Sequence, residues 1–73
     1  MKIYLLSQTV NNDWDTFDSC VVFADDEESA AAISPSAHLC EWAPAEKVSV
    51  EYLGDAREGA QAGTVVCASF NAG

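Results

Sequence analysis

The segment KVSVEYL, residues 47–53, alternates apolar and polar residues more regularly than any other part of the chain. Val48, Val50 and Tyr52 share one side of an extended segment, and the residues between them are polar. A period of two is typical of a β-strand with one buried face. The segment therefore predicts a strand, which we expect Gly54 to end.

The last apolar segment, TVVCASF at 64–70, predicts the final strand, with Val66, Ala68 and Phe70 on one face. We expect the segments 47–53 and 64–70 to form two paired strands whose aligned apolar residues are buried.

The first part of the chain predicts two more strands, at 3–8 and 17–24. The first is apolar on both sides, as in a strand covered on both faces, and the second is rich in β-branched and aromatic residues. Asn11, Asn12 and Asp13 between them tolerate turn geometry. A hairpin with a loop longer than two residues is therefore expected.

The segment DDEESAAAIS, 25–34, predicts a short helix. Asp25 is placed to cap it and Glu28 follows three residues later, as in a capping box. Three consecutive alanines favour helix, and Pro35 ends it. The segment after it has two prolines and no clear period, and is expected to be an irregular connection that packs Leu39 and Trp42 onto the core.

The chain of 73 residues is short enough for one domain, covering 1–73. These segments predict an α+β fold: a small antiparallel sheet in the order β-β-α-β-β, with one short helix packed on one face.

Twelve Asp and Glu residues against three Lys and Arg leave a net charge of −9. This charge argues against direct binding to nucleic acid or to an anionic membrane, whose phosphates would repel it. The start of the chain does not resemble a signal peptide, and no apolar run reaches the roughly 18 residues of a membrane span. Three cysteines without framework spacing indicate free thiols, so we expect a cytoplasmic protein in a bacterial host.

Zinc and thiol chemistry are weakly supported. Cys20, His38, Cys40 and Cys67 are zinc-ligand types, but no C-x-x-C pair is present. His38 and Cys40 could face the same way in an extended segment and act as a nucleophilic pair, yet no third group that would orient them is visible. The simpler interpretation is that Cys20 and Cys67 pack as small hydrophobic residues in strands. We expect neither catalysis nor a cofactor.

The loop NNDWDTFDS offers carboxylates to a cation at Asp13, Asp15 and Asp18. It lacks the glycine and the bidentate glutamate of an EF-hand loop, and strands rather than helices flank it. Paired carboxylates for glycoside-type catalysis need a cleft that so small a domain rarely builds. The sequence therefore predicts no metal site and no acid–base site.

The remaining interpretation is that the carboxylates act together. Alternate residues of an extended segment, such as Asp13 and Asp15, lie about 7 Å apart, which is close to the phosphate spacing along a DNA strand. A second cluster of carboxylates lies at the start of the predicted helix. A third is spread over Glu41, Glu46, Glu51, Asp55 and Glu58. The alternative is a solvated acidic surface that serves solubility alone. The predicted partner-binding residues are Asp13, Asp15, Asp18, Asp25, Asp26, Glu27 and Glu28.

The stretches MKIYLLSQ, DTFDSCVVFA and ASFNAG resemble those of very short proteins from phages, prophages and their bacterial hosts. The resemblance covers the two ends of the chain better than the middle and assigns no functional residue. Anti-CRISPR proteins are the best-known functional class of short acidic phage proteins. They bind the effector complex, and some resemble DNA in charge. The resemblance to a type I anti-CRISPR protein implies an inhibitor whose partner is a basic DNA-binding protein or nucleoprotein complex. The alternative is a small acidic protein with a housekeeping role.

Overall fold

The computed structural model of the chain describes residues 1–10, 16–36 and 41–71. It contains a four-stranded antiparallel sheet, one short helix and one 3₁₀ turn, which agrees with the expected α+β class. The predicted β-β-α-β-β order omits the 3₁₀ turn. The elements are β1 (Lys2–Ser7), β2 (Thr16–Ala24), α1 (Glu27–Ala31), the 3₁₀ turn Ala45–Lys47, β3 (Ser49–Asp55) and β4 (Val65–Asn71).

The strand order across the sheet is β3-β1-β2-β4. The predicted pairing of the last two strands is therefore wrong, because β3 pairs with β1 and β4 pairs with β2 at the opposite edge. The alternation in each segment identifies a strand but carries no information about which neighbour the strand pairs with.

The connection 56–64 carries the chain from one edge of the sheet to the other. The Ala56 N–H donates to the Met1 carbonyl over 2.9 Å, and the Gly63 N–H donates to the Phe23 carbonyl over 2.8 Å. These bonds hold the connection against the ends of β1 and β2. Gly63 has a φ of 88°, a left-handed conformation that glycine adopts without steric cost.

One face of the sheet carries the hydrophobic core. Trp42 is only 1% exposed there, so the predicted packing of this residue is confirmed, whereas Leu39 lies outside the described residues. On the opposite face, Ile3 and Leu5 remain half-buried. The buried core cluster comprises Tyr4, Leu6, Cys20, Val22, Ala24, Ala30 and Trp42.

The helix is shorter than predicted, and its cap is Asp26 instead of Asp25. Asp26 is in an extended conformation, and its Oδ1 accepts a hydrogen bond from the Ser29 N–H over 2.8 Å. This bond satisfies one of the N–H groups that a helix start leaves without an intrahelical partner. The helix ends by Ala32, and the Ile33 N–H bonds back to the Ala30 carbonyl.

Strand β3 starts and ends later than its sequence pattern indicates. Lys47 belongs to the 3₁₀ turn, where its N–H bonds to the Pro44 carbonyl. Gly54 does not end the strand, which continues through a register shift to Asp55. The predicted burial of Tyr52 is wrong, since 51% of this residue is exposed at the edge of the sheet.

The predicted burial of one face of β4 is also wrong. Val66 and Phe70 are 51% and 45% exposed, and Ala68 and Cys67 are exposed as well. Helix α1 packs on β1, β2 and β3. Its five residues extend only about 7.5 Å, whereas the outer strands of a four-stranded sheet lie about 14 Å apart. The helix is therefore too short to cover the whole sheet.

Candidate interaction surface

One end of the sheet is formed by Ala24, Lys2 and Asp55, which lie side by side on β2, β1 and β3. Because β2 and β3 both run antiparallel to β1, they finish at the same end. Asp25 and Asp26 follow β2 directly, and both are exposed. The topology thus brings carboxylates that are thirty residues apart in sequence to one end of the molecule.

Two further carboxylates, Glu27 and Glu28, are exposed in the first turn of α1. Glu27 lines a shallow concavity of about 390 Å³ together with Lys2, Tyr4 and Tyr52. The start of the helix therefore lies beside β1 and the edge strand β3.

The connection 56–64 runs along the same end, held by its bonds to Met1 and Phe23, and it carries exposed Arg57 and Glu58. Six exposed carboxylates and the basic side chains of Lys2 and Arg57 thus gather here, so carboxylates outnumber basic side chains by four. We call this surface the acidic end; its carboxylates are Asp25, Asp26, Glu27, Glu28, Asp55 and Glu58.

Tyr52 joins the edge strand to the acidic end. Its hydroxyl donates a hydrogen bond of 2.8 Å to Asp55 Oδ1, and its ring lies 5.8 Å from the ring of Tyr4 at 58°. The hydrogen bond to Asp55, with some desolvation and the negative charge beside it, raises the pKa of Tyr52 above its ordinary value. The phenol therefore stays neutral beside the carboxylate and presents an exposed aromatic surface.

The carboxylate of Asp26 is stabilised in its charged form. The hydrogen bond from the Ser29 backbone N–H is the main cause that lowers the pKa of Asp26, and a smaller contribution comes from Lys2. The same interaction that caps the helix thus keeps this charge in place at neutral pH.

The structure does not bring all the predicted partner-binding residues together. Asp18 is exposed on β2, seven residues before Asp25 along an extended strand. At about 3.3 Å per residue the two positions lie roughly 20 Å apart. Asp18 is therefore at the other end of the sheet from the acidic end, and Asp13 and Asp15 lie outside the described residues.

The third acidic cluster that the sequence indicates is divided by the fold. Asp55 and Glu58 belong to the acidic end, whereas Glu51 pairs with Leu5 in mid-strand and Glu46 precedes the opposite end of β3. Sequence reasoning also missed Tyr52 as a surface residue, because its place in the alternation indicates burial. Only the register of β3 on β1 could show that Tyr52 and Asp55 lie beside the carboxylates at the start of α1.

The cysteines differ in environment. Cys20 is buried, and desolvation, followed by the nearby Cys67, raises the pKa of its thiol to about 11. Cys67 is exposed, which contradicts its expected packing as a small hydrophobic residue. His38 and Cys40 lie outside the described residues. Within the described ranges, no group of three or more His, Cys, Asp or Glu side chains is placed to hold a metal ion.

Comparison of the chain with protein-family models, curated proteins and solved structures finds no match. In the part of the chain that the structure describes, no helix has the length and apolar character needed to cross a membrane.

Proposed function

We propose that this chain is an acidic inhibitor protein that binds the DNA-binding surface of a basic nucleoprotein complex, namely a CRISPR effector, and excludes DNA from it. The observation that carries the proposal is the acidic end, where the fold collects six exposed carboxylates from three separate segments. A DNA-binding groove presents Lys and Arg side chains to phosphates, and it would attract carboxylates in the same way.

The placement of the carboxylates favours a binding surface over charge that serves solubility alone. Asp55 lies on a strand of the sheet, and Asp26 is fixed by its bond to Ser29. Groups that are held in place before binding lose less conformational freedom when a partner engages them. Solubility requires net charge but no such arrangement.

Tyr52 adds an aromatic contact to the electrostatic one. Its exposed ring lies beside Glu27, and its hydroxyl bonds Asp55. An Arg side chain of a DNA-binding groove could stack on the ring while its guanidinium group bonds a neighbouring carboxylate. Stacking of this kind would supply specificity that charge alone does not provide.

A competition experiment tests the proposal. Labelled target DNA is bound to a purified type I CRISPR effector complex, and the chain is titrated in at low and at moderate salt while fluorescence anisotropy is recorded. We expect the chain to displace the DNA, and to do so less well at moderate salt, because ions screen charges within about 8 Å at physiological ionic strength. A ternary complex of effector, DNA and this chain would contradict the proposal. Absence of binding between the chain and the effector at either salt concentration would also contradict it, and would favour the solubility interpretation.

A further inference from the structure

Strand β4 forms an outer edge of the sheet, and no described strand pairs with its outward side. An edge strand presents unpaired N–H and C=O groups, and natural proteins usually protect it with charged side chains, prolines, β-bulges or a covering element. The pairing of β4 with β2 has one register shift on β4, at Val66, because Val21 lies opposite Cys67 and Val22 lies opposite Val65. The sequence of β4, VVCASFN, has no charged residue and no proline. Its residues from Val66 to Phe70 are exposed, and α1 packs on the other three strands.

The two edges of the sheet differ in charge. β3, at the opposite edge, carries Glu51 and Asp55, whereas β4 carries none. Like charges that face one another across a strand pair are destabilising. In a chain with a net charge of −9, β4 is therefore the edge along which an identical copy meets least repulsion.

We propose that β4 pairs antiparallel with β4 of a second copy, about a two-fold axis at Ala68, to form a homodimer with a continuous eight-stranded sheet. Antiparallel pairing places the acidic end of one copy and that of the other at opposite ends of this sheet. The nearest carboxylate on the strands at the seam is Asp18, which lies one strand away on β2. A basic partner would gain nothing from this uncharged edge.

The register follows from the exposed apolar residues. With Ala68 on the axis, Cys67 of each copy lies opposite Ser69 of the other. Val66, the extra residue at the register shift, then comes next to Phe70 of the other copy, and aromatic–β-branched contacts are favourable across strands. Phe70 already packs on Phe17, with ring centroids 4.7 Å apart, so its side chain is held before pairing. The pairing covers the two most exposed large apolar side chains of β4.

Sedimentation equilibrium of the purified chain from about 1 µM to 1 mM tests the dimer. We expect a monomer–dimer equilibrium that Ala68→Lys weakens at least tenfold, because two ammonium groups then face each other on the axis. Leu53→Lys is the matched control, since it changes net charge equally at an exposed position on β3, and it should leave the dimer intact. A monomer throughout the range, or equal effects of both variants, would overturn the proposal.

Disulfide trapping tests the register with a milder substitution. In a chain with Cys20→Ala, Cys40→Ser and Cys67→Ser, Ala68→Cys places the thiols of the two copies directly opposite each other, and a mild oxidant should cross-link them; Cys20 is removed because it lies opposite residue 68 within the same chain. Leu53→Cys in the same background should not cross-link, and equal cross-linking of both variants would contradict the register.

The salt dependence distinguishes the dimer from the proposed inhibitor role. The dimer should strengthen with salt as the repulsion between the two acidic copies is screened, whereas binding to a basic effector should weaken. One experiment can therefore contradict the dimer without contradicting the inhibitor role, and the reverse.

Discussion

The hydroxyl of Tyr52 donates a hydrogen bond of 2.8 Å to the carboxylate of Asp55, three residues further along the same edge strand. The bond ties an exposed aromatic ring to a charge at the acidic end. The Tyr52 side chain also lies beside α1, because Glu27 of that helix lines the same concavity. The candidate surface thus combines two elements that are far apart in sequence.

Replacement of Asp55 by Asn should lower the pKa of Tyr52, because the carboxylate is the largest cause of its raised value. Titration of the ultraviolet phenolate band would measure the change, and Tyr52→Phe identifies which transition belongs to this residue. An unchanged pKa in the Asp55→Asn variant would contradict the hydrogen bond.

Replacement of Asp26 by Ala should lower the thermal midpoint of unfolding, whereas Asp25→Ala should have little effect. Both changes remove one carboxylate at the helix start, but only Asp26 accepts the bond from Ser29. Because folding lowers the pKa of Asp26, its stabilising contribution is present above its ordinary value of 3.8 and is lost as the pH falls through the folded value. Thermal scans at neutral and acidic pH would show the difference between the variants shrink in acid. Equal midpoints at neutral pH would indicate that Asp26 is not the cap.

Replacement of Trp42 by Ala should cost about 3–5 kcal/mol of unfolding free energy, since it removes the largest fully buried side chain of the described residues. Native domains have only about 5–15 kcal/mol in total, so the loss removes a large fraction of the stability. Leu53→Ala, at a residue that is 49% exposed, should change stability by about 0.5 kcal/mol or less. Urea denaturation measures both, and similar losses would show that Trp42 is not a core residue.

Native thiol labelling should distinguish Cys67 from Cys20 in a Cys40→Ser chain. Cys67 is exposed and should react readily at mildly alkaline pH. Cys20 is buried, and its pKa of about 11 against an ordinary 9.0 leaves about a hundredfold less reactive thiolate. Mass spectrometry after alkylation with and without denaturant would assign the labels. Rapid native labelling of Cys20 would contradict its burial.

The sequence predicted the kinds of element better than their arrangement. The alternation around Val50 and Val66 identifies strands, because a period of two reflects backbone geometry alone. It did not predict that β3 and β4 occupy opposite edges, because pairing depends on the path of the connection 56–64. Nor did it predict the exposure of Phe70, which results from the short span of α1.

The candidate surface was predicted only in part. The carboxylates from Asp25 to Glu28 are adjacent in sequence, so their grouping needs no tertiary information. Asp55 and Glu58 join them only through strand register, and Tyr52 appears from its pattern to be a core residue. The extended strand β2 separates Asp18 from this group.

The proposed inhibitor role requires that the position of the carboxylates, and not net charge alone, determines binding to the effector. Paired charge reversals test it directly in the DNA competition assay. The double variant Glu27→Lys with Asp55→Lys alters the acidic end, and Glu46→Lys with Glu51→Lys changes net charge equally elsewhere. Folding of both is checked by circular dichroism. We predict that the first pair raises the concentration needed to displace DNA from the effector at least tenfold more than the second. Equal effects of the two pairs would contradict the account.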